Sequence, residues 1–262
     1  MIGDGDEEMN LLVIDAGNTR CKIAFGKSTD SQSNSPFPAE SVQTVSNSEI
    51  DSRLGELLNI DFCLVSSVNE HSSRKIKNSL STSLADDKLV FLSSENSTIP
   101  VCIDTPETLG PDRIASAIGA YARSKKRSII VDSGTATTID LVDDRGVFQG
   151  GVIMPGIEVA LNALAGQTDK LPESQFDWNG YPSVVGTDTL SAMQGGVFWN
   201  LVGGVELIVD RMQKSFGAAN VLFTGGSGEF IRGASALKET SSFIPALVLE
   251  GLWHDGLAMI SR

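Results

Sequence analysis

The chain has 262 residues, 41% of them hydrophobic and 20% charged, and a formal net charge of −13. That length and apolar content describe a folded chain with a proper core, either one large domain or two of ordinary size. The charge argues against nucleic acid, whose phosphates demand a basic surface, and equally against an anionic membrane. Cys21, Cys63 and Cys102 are odd in number and lack metal spacing, which suits a reduced interior better than a disulfide framework. No apolar run approaches about 18 residues. The N-terminus, MIGDGDEEMN, is acidic, the opposite of a signal peptide, so a cytoplasmic protein is expected.

After a short leader over 1–9, expected to be disordered, residues 10–14 read as a strand, 15–20 as a turn and 21–25 as the returning strand. Residues 27–41 are polar with two prolines, a loop by composition. Ile50, Leu54, Leu57 and Leu58 fall at helical spacing within 47–59. A buried strand over 61–66, a basic amphipathic helix near 71–84 and a strand over 88–92 follow. Such alternation predicts an α/β domain with a mixed sheet.

In TPETLGPDRIASAIGAYARSKK, Pro111 fits a first helical turn, and Ile114, Ile118 and Tyr121 space the helix behind it. Asp112 there complements the helix dipole, worth under about 1 kcal/mol. Arg113 does not, because a cation is unfavourable at a helix start; a neighbouring anion would resolve the conflict.

Residues 128–142, SIIVDSGTATTIDLV, read as strand, tight turn, strand. The turn carries Asp132, a glycine that lets backbone approach a ligand, and hydroxyls able to donate to phosphate oxygens. The segment 13–25, VIDAGNTRCKIAF, lies over 130–142 at constant offset, with Asp15 on Asp132 and Gly17 on Gly134. Asp-x-Gly turns also occur in ordinary hairpins. Two in register suggest two similar domains, 1–123 and 124–262, facing a shared cleft.

Beyond a turn at 143–146, Gly150 and Gly151 permit close backbone approach, and Pro155-Gly156 starts a helix carrying Ile157, Leu161 and Leu164. A long helix over roughly 187–216 contains Gly195, Gly196, Gly203 and Gly204, each costly by about 1 kcal/mol relative to alanine. Close packing of another backbone would justify them, and a dimer interface is one candidate. A strand over 221–224 enters GGSG, and a last helix near 243–260 packs Leu247, Leu249, Leu252, Trp253 and Leu257. His71 reads as a solvated histidine, His254 as a packing one.

DAGNTR at 15–20 resembles the phosphate-1 motif of the acetate and sugar kinase, Hsp70 and actin superfamily, and DSGTATT at 132–138 its phosphate-2 motif. TGG at 224–226 resembles the adenosine turn. More narrowly, LGPDR (109–113), DSGTATTID (132–140), GGVIMPG (150–156), TDKLP (168–172) and GTDTLSAMQGG (186–196) resemble type III pantothenate kinase, in that family's order across nearly the whole chain. One departure is Pro111, where the family commonly has a small or aliphatic residue.

The resemblance implies an α/β fold of two similar ribonuclease H-like domains, mixed sheets flanked by helices, with the active-site cleft between them. It implies ATP-dependent phosphorylation of pantothenate to 4′-phosphopantothenate, the first step of coenzyme A biosynthesis. Asp112 would be the general base, its pKa depressed by the helix N-terminus. Gly110, Pro111, Arg113 and Thr189 would line the pantothenate pocket, Thr189 reaching it from the partner subunit of a homodimer. Asp15, Ala16, Gly17, Asn18, Thr19, Arg20, Cys21, Lys22 and Thr135 would meet ATP. Asp15 would hold Mg²⁺, and Asp132 a monovalent cation, potassium or ammonium. Two other readings stay open: a kinase of another small hydroxylated substrate, and a noncatalytic regulatory accessory homologue. The presence of Asp15, Asp112 and Asp132 together favours the enzyme.

Overall fold

Strand β1 (Met9–Ala16) and strand β2 (Arg20–Ser28) pair as an antiparallel hairpin, with Ala16 opposite Cys21 at the turn. In the computed structural model, residues 8–18, 20–28, 37–57, 59–168 and 170–261 are described. Most of the expected leader, residues 1–7, therefore lies outside them, while Met9 already belongs to β1. Strand β3 (Gln43–Ser46) extends the hairpin on the β2 side. Strand β4 (Phe62–Ser67) runs parallel to β1, and β5 (Leu89–Phe91) parallel to β4. The sheet order is β3-β2-β1-β4-β5.

Side chains on a strand alternate between faces, so each face reads every second residue. Leu12, Ile14 and Ala16 share one core with Cys63 and Val65 and with Ile50, Leu54, Ile76 and Leu80. Those last four come from helix α1 (Ile50–Gly55) and helix α2 (Glu70–Leu80). Asn69 caps α2, its side chain accepting from the His71 and Ser72 N–H groups. Leu11, Val13 and Asp15 consequently face the other way, toward helix α3 (Pro111–Ser124) and helix α7 (Leu247–Ile260). Those two helices press together through glycine. A Cβ at Gly251 would stand 1.8 Å from the Ala115 carbonyl oxygen, and one at Gly119 2.6 Å from that of Leu247.

The second sheet joins β6 (Ser128–Ser133), β7 (Ala136–Val142), β8 (Phe148–Pro155), β9 (Asn220–Thr224) and β10 (Ser241–Phe243). Its order is β10-β9-β6-β7-β8, with β9 parallel to β6 and to β10. Read from the other end, that is the first sheet's order with the same parallel pairs, so the repeat read in the two hairpins extends to whole sheets. Helices α4 (Ile157–Gly166), α5 (Thr189–Phe216) and α6 (Gly228–Ala234) complete this layer. Ile129, Val131, Ile139, Val221 and Phe223 pack with Ile157, Leu161, Phe198, Leu201, Val205 and Ile231 in its core.

Helix α5 is long and apolar enough to cross a membrane by length and composition, with a window of mean hydropathy 1.2. Its apolar stripe Val197, Phe198, Leu201, Val202, Val205 and Val209 is nevertheless buried in the second core. An amphipathic core helix explains that composition. The glycines divide in two: a Cβ at Gly195 would meet the Ser183 carbonyl oxygen at 2.6 Å, and one at Gly204 the Met154 Cε at 2.8 Å, whereas Gly196 and Gly203 meet nothing within 4 Å.

The chain falls into two compact units. One runs up to Lys125 and takes in Val142–Gln149 and everything from Ala246 onward; the other comprises Lys126–Leu141 and Gly150–Pro245. The single boundary after residue 123 therefore differs from the structure in where the last helix belongs. Leu247, Leu249, Leu252 and Trp253 of α7 are all buried, in the unit that holds β1 and α3. Apolar spacing reveals a helix but not which sheet it will cover.

Candidate functional site

In the first unit the β1–β2 turn is closed by the Gly17 N–H, which donates to the Arg20 carbonyl at 3.1 Å. Asp15 stands at the end of β1, half-buried, in register with Lys22 on β2 and Ser66 on β4. Asn18 and Arg20 are exposed beside it, while the Ala16 side chain is buried; Thr19 lies outside the described residues. The Cys21 thiol points into the first core and donates to Asn47 Oδ1 at 3.1 Å. Burial, aided by the nearby Asp15 charge, pushes that thiol up to about 11. Its side chain is thus committed inward, and contact with a nucleotide would fall to its backbone. Asn47, which the sequence reading passed over, also donates through Nδ2 to the carbonyls of Gly17 and Asn18, at 3.2 and 3.0 Å.

Gly110 is the N-cap of α3 and Pro111 its first residue, the position where a missing N–H costs nothing. Asp112 Oδ1 accepts from the Arg113 N–H at 2.9 Å. Burial holds the Asp112 carboxyl above its ordinary value of 3.8, outweighing the hydrogen bonds and the Arg113 charge that pull the other way. The expected depression by the helix N-terminus is therefore corrected. Desolvation of a half-buried carboxylate exceeds a dipole effect of under about 1 kcal/mol. A Cβ at Gly110 would stand 2.6 Å from Asp112 Oδ1, so a side chain there would crowd the carboxylate and displace it. The Arg113 guanidinium lies 5.6 Å from the centroid of the Phe148 ring.

In the second unit the glycine again closes the β6–β7 turn, over one residue fewer, the Gly134 N–H donating to the Ala136 carbonyl at 2.9 Å. Asp132 follows Val131 and so faces away from the second core, as Asp15 faces away from the first. The turn's hydroxyls do not all face outward. Ser133 and Thr137 are fully buried, their hydroxyls 2.9 Å apart, and Ser133 lies equally close to the hydroxyl of Ser227. Thr135 is the exposed hydroxyl at the tip. Neighbouring backbone presses on this turn. A Cβ at Gly156 would stand 2.2 Å from the Gly134 carbonyl oxygen, and one at Gly225 2.4 Å from Asp132 Oδ1. Gly225 also has φ +85°, a region other residues rarely adopt. The TGG segment and the Asp132 turn are thus one packed object.

Thr189 is the exposed first residue of α5. It follows the N-cap Asp188, whose carboxylate accepts from the Ser191 N–H at 2.9 Å and closes a capping box with the Ser191 hydroxyl. Those two bonds hold the Asp188 carboxyl below its ordinary range. Among the described residues no group of three or more His, Cys, Asp or Glu side chains could cage a metal ion. Single carboxylates beside phosphate-sized turns suit a hard cation carried in with a nucleotide, which supplies most of its own oxygens.

The profile of the type III pantothenate kinase family matches residues 11–211. The chain belongs to that family. Among its relatives, the type III pantothenate kinase of Phenylobacterium zucineum is 34% identical over 253 residues, 92% of this chain and 95% of that one. The type III pantothenate kinase of Caulobacter vibrioides is 34% identical over 236 residues, 87% and 90% of the two chains. A Listeria monocytogenes protein proposed to be an N-acetylmannosamine kinase shares the fold, with TM-score 0.58 at 10% identity over 96% of this chain and all of its own. Two ribonuclease H-like layers of one strand order, as expected from the type III pantothenate kinase resemblance, are what the structure contains. Asn47 carries no motif of its own and Ser227 is only the serine of GGSG (225–228); their neighbours in space, not the sequence, mark their roles.

Proposed function

We propose that this protein transfers the γ-phosphoryl group of ATP to the primary hydroxyl of pantothenate, giving 4′-phosphopantothenate in the first step of coenzyme A biosynthesis. The observation that carries this reading is Asp112: a half-buried carboxylate on the first turn of α3, fixed by a backbone N–H and made more basic by desolvation. Family membership supplies the substrate.

Phosphoryl transfer asks for alignment and charge neutralisation more than covalent chemistry. Asp112 accepts the pantothenate hydroxyl proton, and a raised pKa brings it nearer the value that suits a base at neutral pH. Gly110 and Pro111 shape the approach to it, and Arg113 binds the acceptor or the phosphoryl group. Ala16, Gly17, Asn18, Thr19, Arg20, Cys21 and Lys22 form the phosphate-1 turn for ATP, with Thr135 its counterpart in the second unit. Asp15 holds the magnesium of Mg-ATP, whose charge offsets that of the phosphates when bound. Asp132 holds potassium or ammonium, and Thr189 contacts pantothenate from the partner subunit of a homodimer. The open faces of Gly196 and Gly203, on the α5 side that also exposes Leu207, support such a dimer. The acidic charge and the free cysteines support a cytoplasmic protein without nucleic-acid or membrane partners.

A panel of small hydroxy acids, sugars and pantothenate, each offered with Mg-ATP, tests the substrate. Pantothenate should give the highest kcat/KM, and a better acceptor would overturn the choice.

A further inference from the structure

The side chain of Asn47, immediately after β3, reaches back to the β1–β2 turn. Pairing of Ser46 with Arg20 brings it there. Its amide has one satisfied orientation. Oδ1 accepts from the Cys21 thiol at 3.1 Å, and Nδ2 donates to the Gly17 and Asn18 carbonyls at 3.2 and 3.0 Å. Turned over, the amide would set its oxygen against two carbonyl oxygens. The thiol stays protonated and able to donate, since burial raises its pKa. From the other side Lys75 Nζ donates to the Asn47 carbonyl at 3.3 Å, and the same ammonium lies 3.7 Å from Asp51. Asn47 is thereby tied to α1 and α2.

The consequence lies in the peptide plane. Carbonyl and N–H of one peptide unit point in opposite directions. Drawing the Gly17 carbonyl toward Asn47 directs the Asn18 N–H to the other side of the turn, the side that Asn47 does not occupy. Successive carbonyls drawn one way leave amide dipoles converging the other way, the arrangement that receives an anion.

We propose that Asn47 is the positioning residue of the phosphate-1 turn, holding the Gly17 and Asn18 carbonyls so that the backbone N–H of Asn18 faces the phosphates of ATP. This rests on reading that turn as a nucleotide site, but not on pantothenate being the acceptor. Asn47 acts through the turn and touches no substrate.

The test is calorimetric titration of the full chain with Mg-ATP and, separately, with pantothenate, for wild type, Asn47→Ala and Asn47→Asp. Loss of the two carbonyl bonds in Asn47→Ala should weaken ATP about 10-fold, the order expected for hydrogen bonds of ordinary strength. Asn47→Asp should be weaker still and should recover partly in high salt, because it sets a screenable negative charge against two carbonyls and the phosphates. Pantothenate affinity should stay within about two-fold throughout. ATP affinity unchanged in both Asn47 variants would overturn the proposal. So would equal weakening of both ligands alongside a lowered Tm, the pattern of a purely structural residue. A wild type that binds ATP but leaves pantothenate unmodified contradicts the substrate assignment alone, and the ATP titrations still decide the role of Asn47.

Discussion

The hydroxyl of Ser227 lies 2.9 Å from the hydroxyl of Ser133, and donates as well to the Ser133 carbonyl at 3.0 Å. The Ser227 N–H reaches the same carbonyl at 3.0 Å. Two stretches far apart in sequence are locked by one buried hydroxyl cluster, completed by Thr137. Ser227→Ala removes two of these bonds and leaves the backbone one. Stability should fall by about 1–2 kcal/mol, the order set by losing buried hydrogen bonds. Because the Asp132 turn rests on this cluster, cation dependence should shift along with it. Chemical denaturation beside a potassium titration checks both, and an unaltered protein on both counts would show the cluster to be incidental.

Asp112→Asn should lower kcat by about 100-fold or more while ATP binding persists, the signature of a lost base. Its stability follows from the sign of the pKa shift. A folded-state pKa above the ordinary 3.8 means that the folded protein binds the proton more tightly than the unfolded chain. Ionised Asp112 therefore costs stability as pH rises through and beyond that value. Asp112→Asn should be no less stable than wild type at pH 7, and the acid limb of wild-type kcat/KM should lie above the usual carboxylate range. A substantially lowered Tm in Asp112→Asn would contradict the burial argument; retained turnover would remove Asp112 from its role.

Asp132→Ala should abolish or weaken stimulation by potassium or ammonium. Gly225→Ala offers an independent approach, since its Cβ would intrude on Asp132 Oδ1 at 2.4 Å from a strained backbone. Both variants should lose cation response in rate assays across a potassium series. An unchanged response in Asp132→Ala would move the cation elsewhere.

Thr189→Ala should raise the KM for pantothenate and leave that for ATP near its wild-type value. The helix cap is expected to survive, because Asp188 and Ser191 supply it. A change confined to ATP would mean that this threonine belongs to a different pocket.

Much of this was legible in the residues themselves. Asp15-x-Gly17 and Asp132-x-Gly134, between apolar strands, predicted two hairpins of one design, and the sheets repeat that design down to strand order. Pro111 marked the start of α3 because only a first-turn residue tolerates its missing N–H. What escaped depends on distance in sequence. The short edge strands β3 and β10 have too few residues for an alternation to register. Asn47 and Ser227 act on turns 29 and 94 residues away, and no local pattern encodes that reach. The inward turn of Ser133 and Thr137, read as outward phosphate donors, follows from β-strand alternation against a core that only the fold reveals. The direction of the Asp112 shift was missed for a similar reason, since desolvation depends on neighbours from elsewhere in the chain.

The most direct measurement is phosphopantothenate formation by the purified full-length chain with Mg-ATP, in the presence and absence of potassium. The account predicts ATP-dependent phosphopantothenate, stimulated by potassium and lost in Asp112→Asn. Folded protein that forms no product with either potassium or ammonium would contradict it, and would shift weight to another hydroxylated acceptor or to a noncatalytic accessory role.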